Sequence, residues 1–174
     1  MSEDQGEDVL ALAGVLLDSL ARRGWSLGTA ESLTGGMVAA AITAVPGASA
    51  SYMGGVIGYA DREKTALLGV PPELLEQHGA VSAEVAEAMA HGCRERMNVQ
   101  VGLATTGVAG PASDDRETPV GTVFVACATA RACTVERLLL DGDRRHIRTL
   151  STRAALRLAI RILEIAAPGV EEAT

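Results

Sequence analysis

Apolar residues recur along the chain in two patterns, and the alternation between them predicts the order of its elements. Spacings of three and four residues predict helices at residues 9–23, 37–42, 61–68, 73–77, 83–97 and 144–165. Short apolar runs between turn residues predict strands that begin near Trp25 and cover residues 52–59 and 99–106. Two more runs between Pro119 and Leu140 flank a turn at 129–132 and predict a hairpin.

This order of elements predicts an α/β fold with helices on both faces of one sheet. The hairpin adds one antiparallel strand to an otherwise parallel sheet. The predicted architecture is therefore a three-layer α/β/α sandwich with a mixed, mostly parallel five-stranded sheet. We expect a single domain over residues 9–166, with a flexible acidic N-terminus at residues 1–8 and a flexible tail at residues 167–174.

Charge and terminal composition narrow the classes of function. The 174 residues carry a net charge of −7, which argues against nucleic acid as a partner because phosphate backbones are bound by dense Lys and Arg. The first residues are acidic where a secretory signal needs basic ones, and no apolar run approaches membrane-spanning length. We therefore expect a cytoplasmic protein with no membrane partner.

Cysteine and histidine residues are few and show no motif. The chain has no Cys-x-x-Cys pair and no Ser-His-Asp or metal spacing among Cys93, Cys127, Cys133, His78, His91 and His146. We expect buried free thiols, structural or solvent-facing histidines, and no metal site.

The densest group of polar and glycine residues falls where the first predicted strand meets the next helix. It reads Thr29-Ala30-Glu31-Ser32-Leu33-Thr34-Gly35-Gly36. Free N–H groups at a helix start, together with the helix dipole, favour an anion or a developing oxyanion, and Ser32 would lie beside them as a nucleophile. The alternative is structural: Ser32 or Thr34 caps the helix and the two glycines form a tight turn.

Lys64 is the single lysine among 15 basic side chains. A desolvated amine can lose its proton near neutral pH and activate Ser32, which guanidinium cannot do. For this role the carboxylates of Asp61 and Glu63 must point away from it. Tyr59, just before this helix, could hold or relay a proton. Alternatively, Lys64 lies on an ordinary charged helix surface and Tyr59 serves packing.

A second loop, Thr105-Thr106-Gly107-Val108-Ala109-Gly110-Pro111, repeats this chemistry past a later strand. Ligands of open α/β sheets bind beyond the carboxyl ends of parallel strands, so both loops are expected to share one crevice. Arg144 and Arg148 lie one turn apart on the last helix, a fork suited to phosphate, or else to surface salt bridges.

Taken in order, these motifs resemble the CinA carboxy-terminal domain family over roughly residues 9–165. The residues that carry the resemblance are Thr29-Ala30-Glu31-Ser32-x-Thr34-Gly35-Gly36, Gly54-Gly55-Val56, Tyr59-x-x-x-x-Lys64, His78-Gly79-Ala80-Val81-Ser82, Thr106-Gly107-Val108-Ala109-Gly110-Pro111, Pro119-Val120-Gly121-Thr122-Val123 and Gly142-Asp143-Arg144.

The resemblance implies a nicotinamide-nucleotide amidase that uses no metal or cofactor. Such an enzyme hydrolyses the carboxamide of nicotinamide mononucleotide to nicotinate mononucleotide and ammonia, in pyridine-nucleotide salvage. It also implies a homodimer of the stand-alone form, without the additional amino-terminal domain of longer members. The catalytic residues would be Ser32, Lys64 and Tyr59, and those contacting substrate would be Glu31, Thr34, Gly35, Gly36, Thr106, Gly107, Gly110, Arg144 and Arg148.

This sequence departs from the family pattern most clearly at residues 112–117. Ala112-Ser113-Asp114-Asp115-Arg116-Glu117 stand where glycines are usual, and smaller departures occur at Leu33, Ala60-Asp61 and Asp141. The charged segment restricts the backbone and alters the field near a phosphate site. A second function is therefore retained beside the amidase: a nucleotide-binding protein of the same fold with impaired catalysis.

Overall fold

A computed structural model describes residues 8–165 of the chain. The helices are α1 (Val9–Arg23), α2 (Met37–Thr43), α3 (Asp61–Leu68), α4 (Pro72–His78), α5 (Ala83–Arg96) and α6 (Arg144–Ile165). The strands are β1 (Leu27–Glu31), β2 (Tyr52–Ile57), β3 (Val101–Gly107), β4 (Thr122–Ala128) and β5 (Cys133–Leu139). A short 3-10 helix (Ala48–Ala50) precedes β2. The tails predicted to be flexible lie outside the described residues, except for Asp8.

The five strands form one sheet in the order β2-β1-β3-β4-β5. Strand β1 pairs in parallel with β2 and β3, whereas β4 is antiparallel to both β3 and β5. The hairpin at 129–132 thus supplies the one antiparallel strand of this sheet. The predicted mixed, mostly parallel sheet is confirmed.

Helices cover both faces of the sheet, and each face has its own apolar core. Because side chains alternate along a strand, Leu103 on β3 enters the core under α1, α2 and α6, while its neighbour Ala104 enters the core under α3, α4 and α5. Helix α5 lies so close to β3 that a Cβ at Gly102 would collide with the carbonyl oxygen of Ala90. The predicted three-layer architecture is therefore correct.

Polar side chains cap the starts of three of the helices. Asp8 accepts a hydrogen bond from the N–H of Leu10 at 3.0 Å, and Ser82 accepts one from Val85 at 3.3 Å. Asp143 accepts a bond from the N–H of His146 at 2.8 Å. These acceptors satisfy helix donors that have no partner inside the helix.

Strand β2 ends at Ile57, two residues before the predicted end. The N–H of Gly58 still donates to the carbonyl of Glu31 at 3.0 Å, and the chain then leaves the sheet towards α3. Tyr59 is thereby released from strand pairing.

Of the helices described, none is both long and apolar enough to span a bilayer.

Candidate active site

The carboxyl ends of β1 and β3 open onto one cavity of about 220 Å³. The two strands run in parallel with Glu31 beside Thr105, and the N–H of Ser32 donates to the carbonyl of Thr105 at 3.0 Å. This bond joins the two glycine-containing loops at the point where each leaves the sheet. The expectation that they share a crevice is confirmed.

Seven of the twelve predicted site residues line this cavity. They are Ser32, Tyr59, Lys64, Thr106, Gly107, Gly110 and Arg144. The other five are held within the protein instead and do not contribute to the cavity wall: Glu31, Thr34, Gly35, Gly36 and Arg148.

Ser32 presents a hydroxyl that is committed to no other group. The residue is 7% exposed, and within residues 8–165 its Oγ has no hydrogen-bond partner. The structural alternative is wrong for both hydroxyls of the loop, because the N-cap of α2 is Gly36, without a side-chain cap, and Thr34 Oγ1 pairs with Thr105 Oγ1 at 2.7 Å. A serine that caps nothing and faces a cavity is free to react.

Lys64 is 1% exposed, so the surface alternative is wrong for it. Its Nζ donates to the carbonyl of Tyr59 and to Asp61 Oδ1, both at 3.2 Å. The expectation that Asp61 points away is also wrong, because Asp61 lies three residues earlier on α3 and therefore on the same face. Glu63 pairs instead with Arg62 at 3.0 Å.

The buried Lys64 amine and the Asp61 carboxylate form an ion pair. The Asp61 side chain is 58% exposed, so water screens part of its charge. Within the described chain no hydrogen bond joins Lys64 Nζ to Ser32 Oγ.

Glu31 occupies the start of α2 that was expected to bind an anion. Its carboxylate, 1% exposed, accepts the N–H groups of Gly36, Val38 and Ala39 at 2.9, 3.1 and 2.8 Å. The helix dipole and its free donors thus stabilise an internal carboxylate. An anionic ligand would therefore have to bind to other hydrogen-bond donors on the cavity wall.

Arg148 on α6 binds the loop that follows Ser32. Its guanidinium donates to the carbonyls of Leu33 and Thr34 at 2.9 and 2.7 Å. Gly35, at φ +58°, passes so close that an added Cβ would lie 3.2 Å from Arg148 Nη2. Helix α6 therefore fixes the backbone just after Ser32.

Arg144 bridges the two sides of the cavity mouth. It donates to the carbonyl of Gly110 at 2.7 Å and to the Tyr59 hydroxyl at 3.1 Å. Tyr59 is 59% exposed, so it does not serve core packing. Opposite, Thr106 Oγ1 donates to the carbonyl of Ala80 at 2.7 Å and ties the end of β3 to the segment before α5.

The charged segment at residues 112–117 forms a further part of the wall that sequence reasoning did not assign. Asp114 lines the cavity, and its Oδ1 accepts the N–H groups of Arg116 and Thr118 at 3.0 and 2.8 Å. The Arg116 guanidinium reaches the last carbonyls of α4, including those of Glu76 and Gln77. The only sequence signal was the unusual charge of this loop.

The thiols offer no competing nucleophile at neutral pH. Burial raises the pKa of the Cys93 and Cys127 thiols to about 12. Burial, followed by the charge of Glu87, raises the pKa of Cys133 to about 11. A thiol must ionise to attack, so each stays inert here. Cys133 is only partly buried, which corrects the expectation that all three are buried.

Comparison with known proteins adds an independent line of evidence. The family model described as CinA C-terminal domain matches residues 10–163. A CinA-like protein from Geobacter sp. (strain M21) is 47% identical over 155 residues, which cover 89% of this chain and 36% of that protein. One from Myxococcus xanthus (strain DK1622) is 43% identical over 165 residues, covering 94% and 39%. The chain thus spans little more than a third of these curated relatives.

Solved structures agree at the level of the fold. Competence damage-inducible protein A from Klebsiella pneumoniae superposes with a TM-score of 0.90 at 32% identity, covering 92% of this chain and 100% of that one. Competence/damage inducible protein CihA from Agrobacterium tumefaciens gives a TM-score of 0.86 at 34% identity, covering 94% and 99%.

Proposed function

The chain belongs to the CinA C-terminal domain family, and from this membership and its cavity we propose that it is an amidohydrolase. The proposed substrate is nicotinamide mononucleotide, and the products are nicotinate mononucleotide and ammonia. One observation carries the proposal: an uncommitted serine hydroxyl and the sole, buried lysine lie on the wall of one cavity. A Ser-Lys pair is a known variant of nucleophilic acyl transfer.

In the proposed reaction, Lys64 as a neutral amine takes the proton of Ser32 while Oγ attacks the carboxamide carbon. The tetrahedral intermediate then expels ammonia, which takes a proton from Lys64, and leaves an ester on Ser32. Water hydrolyses this ester with the same amine as base. Lys64 Nζ must first exchange its bond to Asp61 or to Tyr59 for one to Ser32.

The developing oxyanion needs donors other than the start of α2, which Glu31 occupies. In the described part of the chain, the backbone N–H groups of Leu33, Ala109 and Gly110 have no acceptor, and all three residues line the cavity. Leu33 directly follows Ser32 in the chain, so its N–H is the one of these three donors that is nearest in sequence to the proposed nucleophile. Two backbone donors suffice for an oxyanion hole.

Arg144 supplies the positive charge that a mononucleotide phosphate requires. Its fork bonds neutral oxygens of Gly110 and Tyr59, and a phosphate dianion is a stronger acceptor than either. Phosphate binding would therefore draw Arg144 from these partners. Tyr59 would then be released to contact the substrate as well.

The second candidate is a nucleotide-binding protein of the same fold that turns over slowly or not at all. The ion pair between Lys64 and Asp61 favours this candidate, because it engages Lys64 Nζ with a group other than Ser32. Under this hypothesis Arg144 still binds phosphate, while Ser32 remains unreactive.

The test is incubation of the purified chain with nicotinamide mononucleotide, and in parallel with free nicotinamide and the dinucleotide. We expect ammonia and nicotinate mononucleotide in equal amounts, and no product from Ser32→Ala, which should fold normally because this hydroxyl supports no other group. Binding of the mononucleotide without ammonia release would favour the second candidate. Full turnover by Ser32→Ala would exclude Ser32 as nucleophile.

A further inference from the structure

A group of potential metal ligands lies at the edge of the sheet away from the cavity. Glu87 and His91 are one turn apart on α5, and Cys133 is the first residue of β5. One ligand atom from each lies within 4.8 Å of the others. None of the three contributes to the cavity wall.

The fold, rather than local sequence, brings these residues together. A spacing of four places Glu87 and His91 on one face of α5, and the packing of α5 on the sheet turns this face towards β5. Cys133 packs with the core under α5, whereas Cys127 on β4 packs on the opposite side of the sheet. The thiol therefore points to the helix that carries the imidazole and the carboxylate.

The distances between these three ligand atoms are close to those around a tetrahedrally coordinated cation. Ligand atoms at the usual Zn–N, Zn–O and Zn–S distances stand roughly 3.5 Å apart around the ion. His91 Nε2 and Glu87 Oε1 are already 3.8 Å apart. Small side-chain rotations would therefore bring the three ligand atoms to bonding distance from one ion. The side chains of His91 and Glu87 are 39% and 54% exposed, which leaves the outer position open to water.

We propose that Glu87, His91 and Cys133 bind one borderline transition-metal cation, with Zn²⁺ as the favoured ion, and so tie β5 to α5. Thiolate and imidazole select such cations over Mg²⁺ and Ca²⁺, which prefer oxygen ligands. The binding step forms bonds from Sγ, Nε2 and a carboxylate oxygen to the metal, and the thiol proton is released to solvent. The proposal is independent of the amidase activity.

The experiment is a titration of the metal-free, reduced full chain with Co²⁺, an optical stand-in for Zn²⁺. We expect saturation at one Co²⁺ per chain, with the near-ultraviolet charge-transfer band of a thiolate ligand, and loss of that band when Zn²⁺ is added. Cys133→Ser should abolish the band. His91→Ala, which removes one of the three ligands, should weaken binding by about 10-fold or more.

A matched control separates this site from ordinary surface histidines. His78 pairs with Glu84 at 3.4 Å but belongs to no group of three metal-ligating side chains in the described part of the chain, so His78→Ala should bind Co²⁺ like the parent. Zn²⁺ should raise the melting temperature of the parent and of His78→Ala, raise that of His91→Ala less at the same Zn²⁺ concentration, and leave that of Cys133→Ser unchanged. Absence of saturable binding, or a charge-transfer band that survives in Cys133→Ser, would overturn the proposal.

Discussion

At the residue scale, the proposed chemistry depends on whether Lys64 can give up its proton. Its Nζ is buried, yet it bonds to the Asp61 carboxylate at 3.2 Å. The Asp61 side chain is 58% exposed, so it can turn towards solvent. The proposed mechanism requires this movement, because it would free Lys64 Nζ to form a hydrogen bond with Ser32 Oγ.

Lys64→Arg is predicted to reduce turnover at saturating nicotinamide mononucleotide by about 100-fold or more. Guanidinium keeps the positive charge and the partners of the ammonium ion but does not deprotonate, and loss of a general base has this magnitude. Turnover should be measured across pH, with circular dichroism to verify folding. Activity within a few-fold of the parent would mean that Lys64 acts only through its charge.

Asp61→Asn provides the matched comparison at the same site. It removes the charge that favours ammonium while keeping a polar partner of equal size, so turnover should hold or rise at neutral pH. A fall as large as that of Lys64→Arg would instead assign Asp61 a direct part in the reaction.

Arg144→Ala is predicted to raise KM for the mononucleotide by about 10-fold or more, because a hydrogen bond to a charged group is worth roughly 1.5–3 kcal/mol. Binding of free nicotinamide, which has no phosphate, should change little. The control is Arg145→Ala, an exposed neighbour that does not line the cavity. Equal losses for both ligands would show that Arg144 acts by holding Gly110 and Tyr59 in place.

At the scale of elements, the junction of β1 and α2 depends on Glu31. Its buried carboxylate accepts three N–H groups at the start of α2, directly beside the nucleophile. The helix thereby fixes the residue before Ser32, and Arg148 fixes the two residues after it. The backbone around the proposed nucleophile is thus held by two helices on one face of the sheet.

Glu31→Gln is predicted to lower the free energy of unfolding by about 2 kcal/mol. The amide lacks the negative charge that complements the helix dipole, and its NH2 group would face the N–H donors at the start of α2. Urea denaturation measures this change. Glu73→Gln is the control, because Glu73 also lies in a first helical turn but is exposed. A shift no larger than that of the control would mean that Glu31 contributes little to the junction.

The same junction shows where sequence reasoning succeeds and where it stops. Apolar periodicity and turn residues predicted the helices, the hairpin and the shared crevice, because these depend on local pattern and on strand direction. The pattern could not show that Glu31 folds back onto the donors that follow it. It also could not assign the Arg148 guanidinium to loop carbonyls, since that contact spans 115 residues from Leu33.

Long-range assembly accounts for the other differences. Arg116 contacts carbonyls of α4 about 40 residues earlier, and its partners depend on the path of a loop that has no periodicity. Cys133 meets His91 and Glu87 only because β5 packs under α5. Local sequence motifs detect metal ligands that are close in the chain, so this group had no signature.

At the scale of the whole molecule, the cavity and the proposed metal site lie at opposite ends of the strands. Cys133 pairs with Ala128, which pairs with Gly102 near the start of β3, whereas the cavity opens beyond Thr106. The four-residue step from Gly102 to Thr106 along β3 corresponds to about 13 Å. Strand β3 is paired on both sides between these sites, so metal at one end is not expected to alter chemistry at the other.

Removal of metal is therefore predicted to leave amide hydrolysis unchanged, within about twofold, while lowering the melting temperature of the zinc-loaded chain. The described lining residues of the cavity include no His or Cys, the ligands that Zn²⁺ prefers, and the carboxylates of Asp61 and Asp114 are balanced by the charges of Lys64 and Arg144. Dialysis against a chelator, followed by rate and melting measurements with and without added Zn²⁺, tests both halves. Cys133→Ser should hydrolyse the amide at the parental rate with or without Zn²⁺. Hydrolysis that vanished on chelation and returned with metal would replace the Ser-Lys mechanism by a metal-activated water.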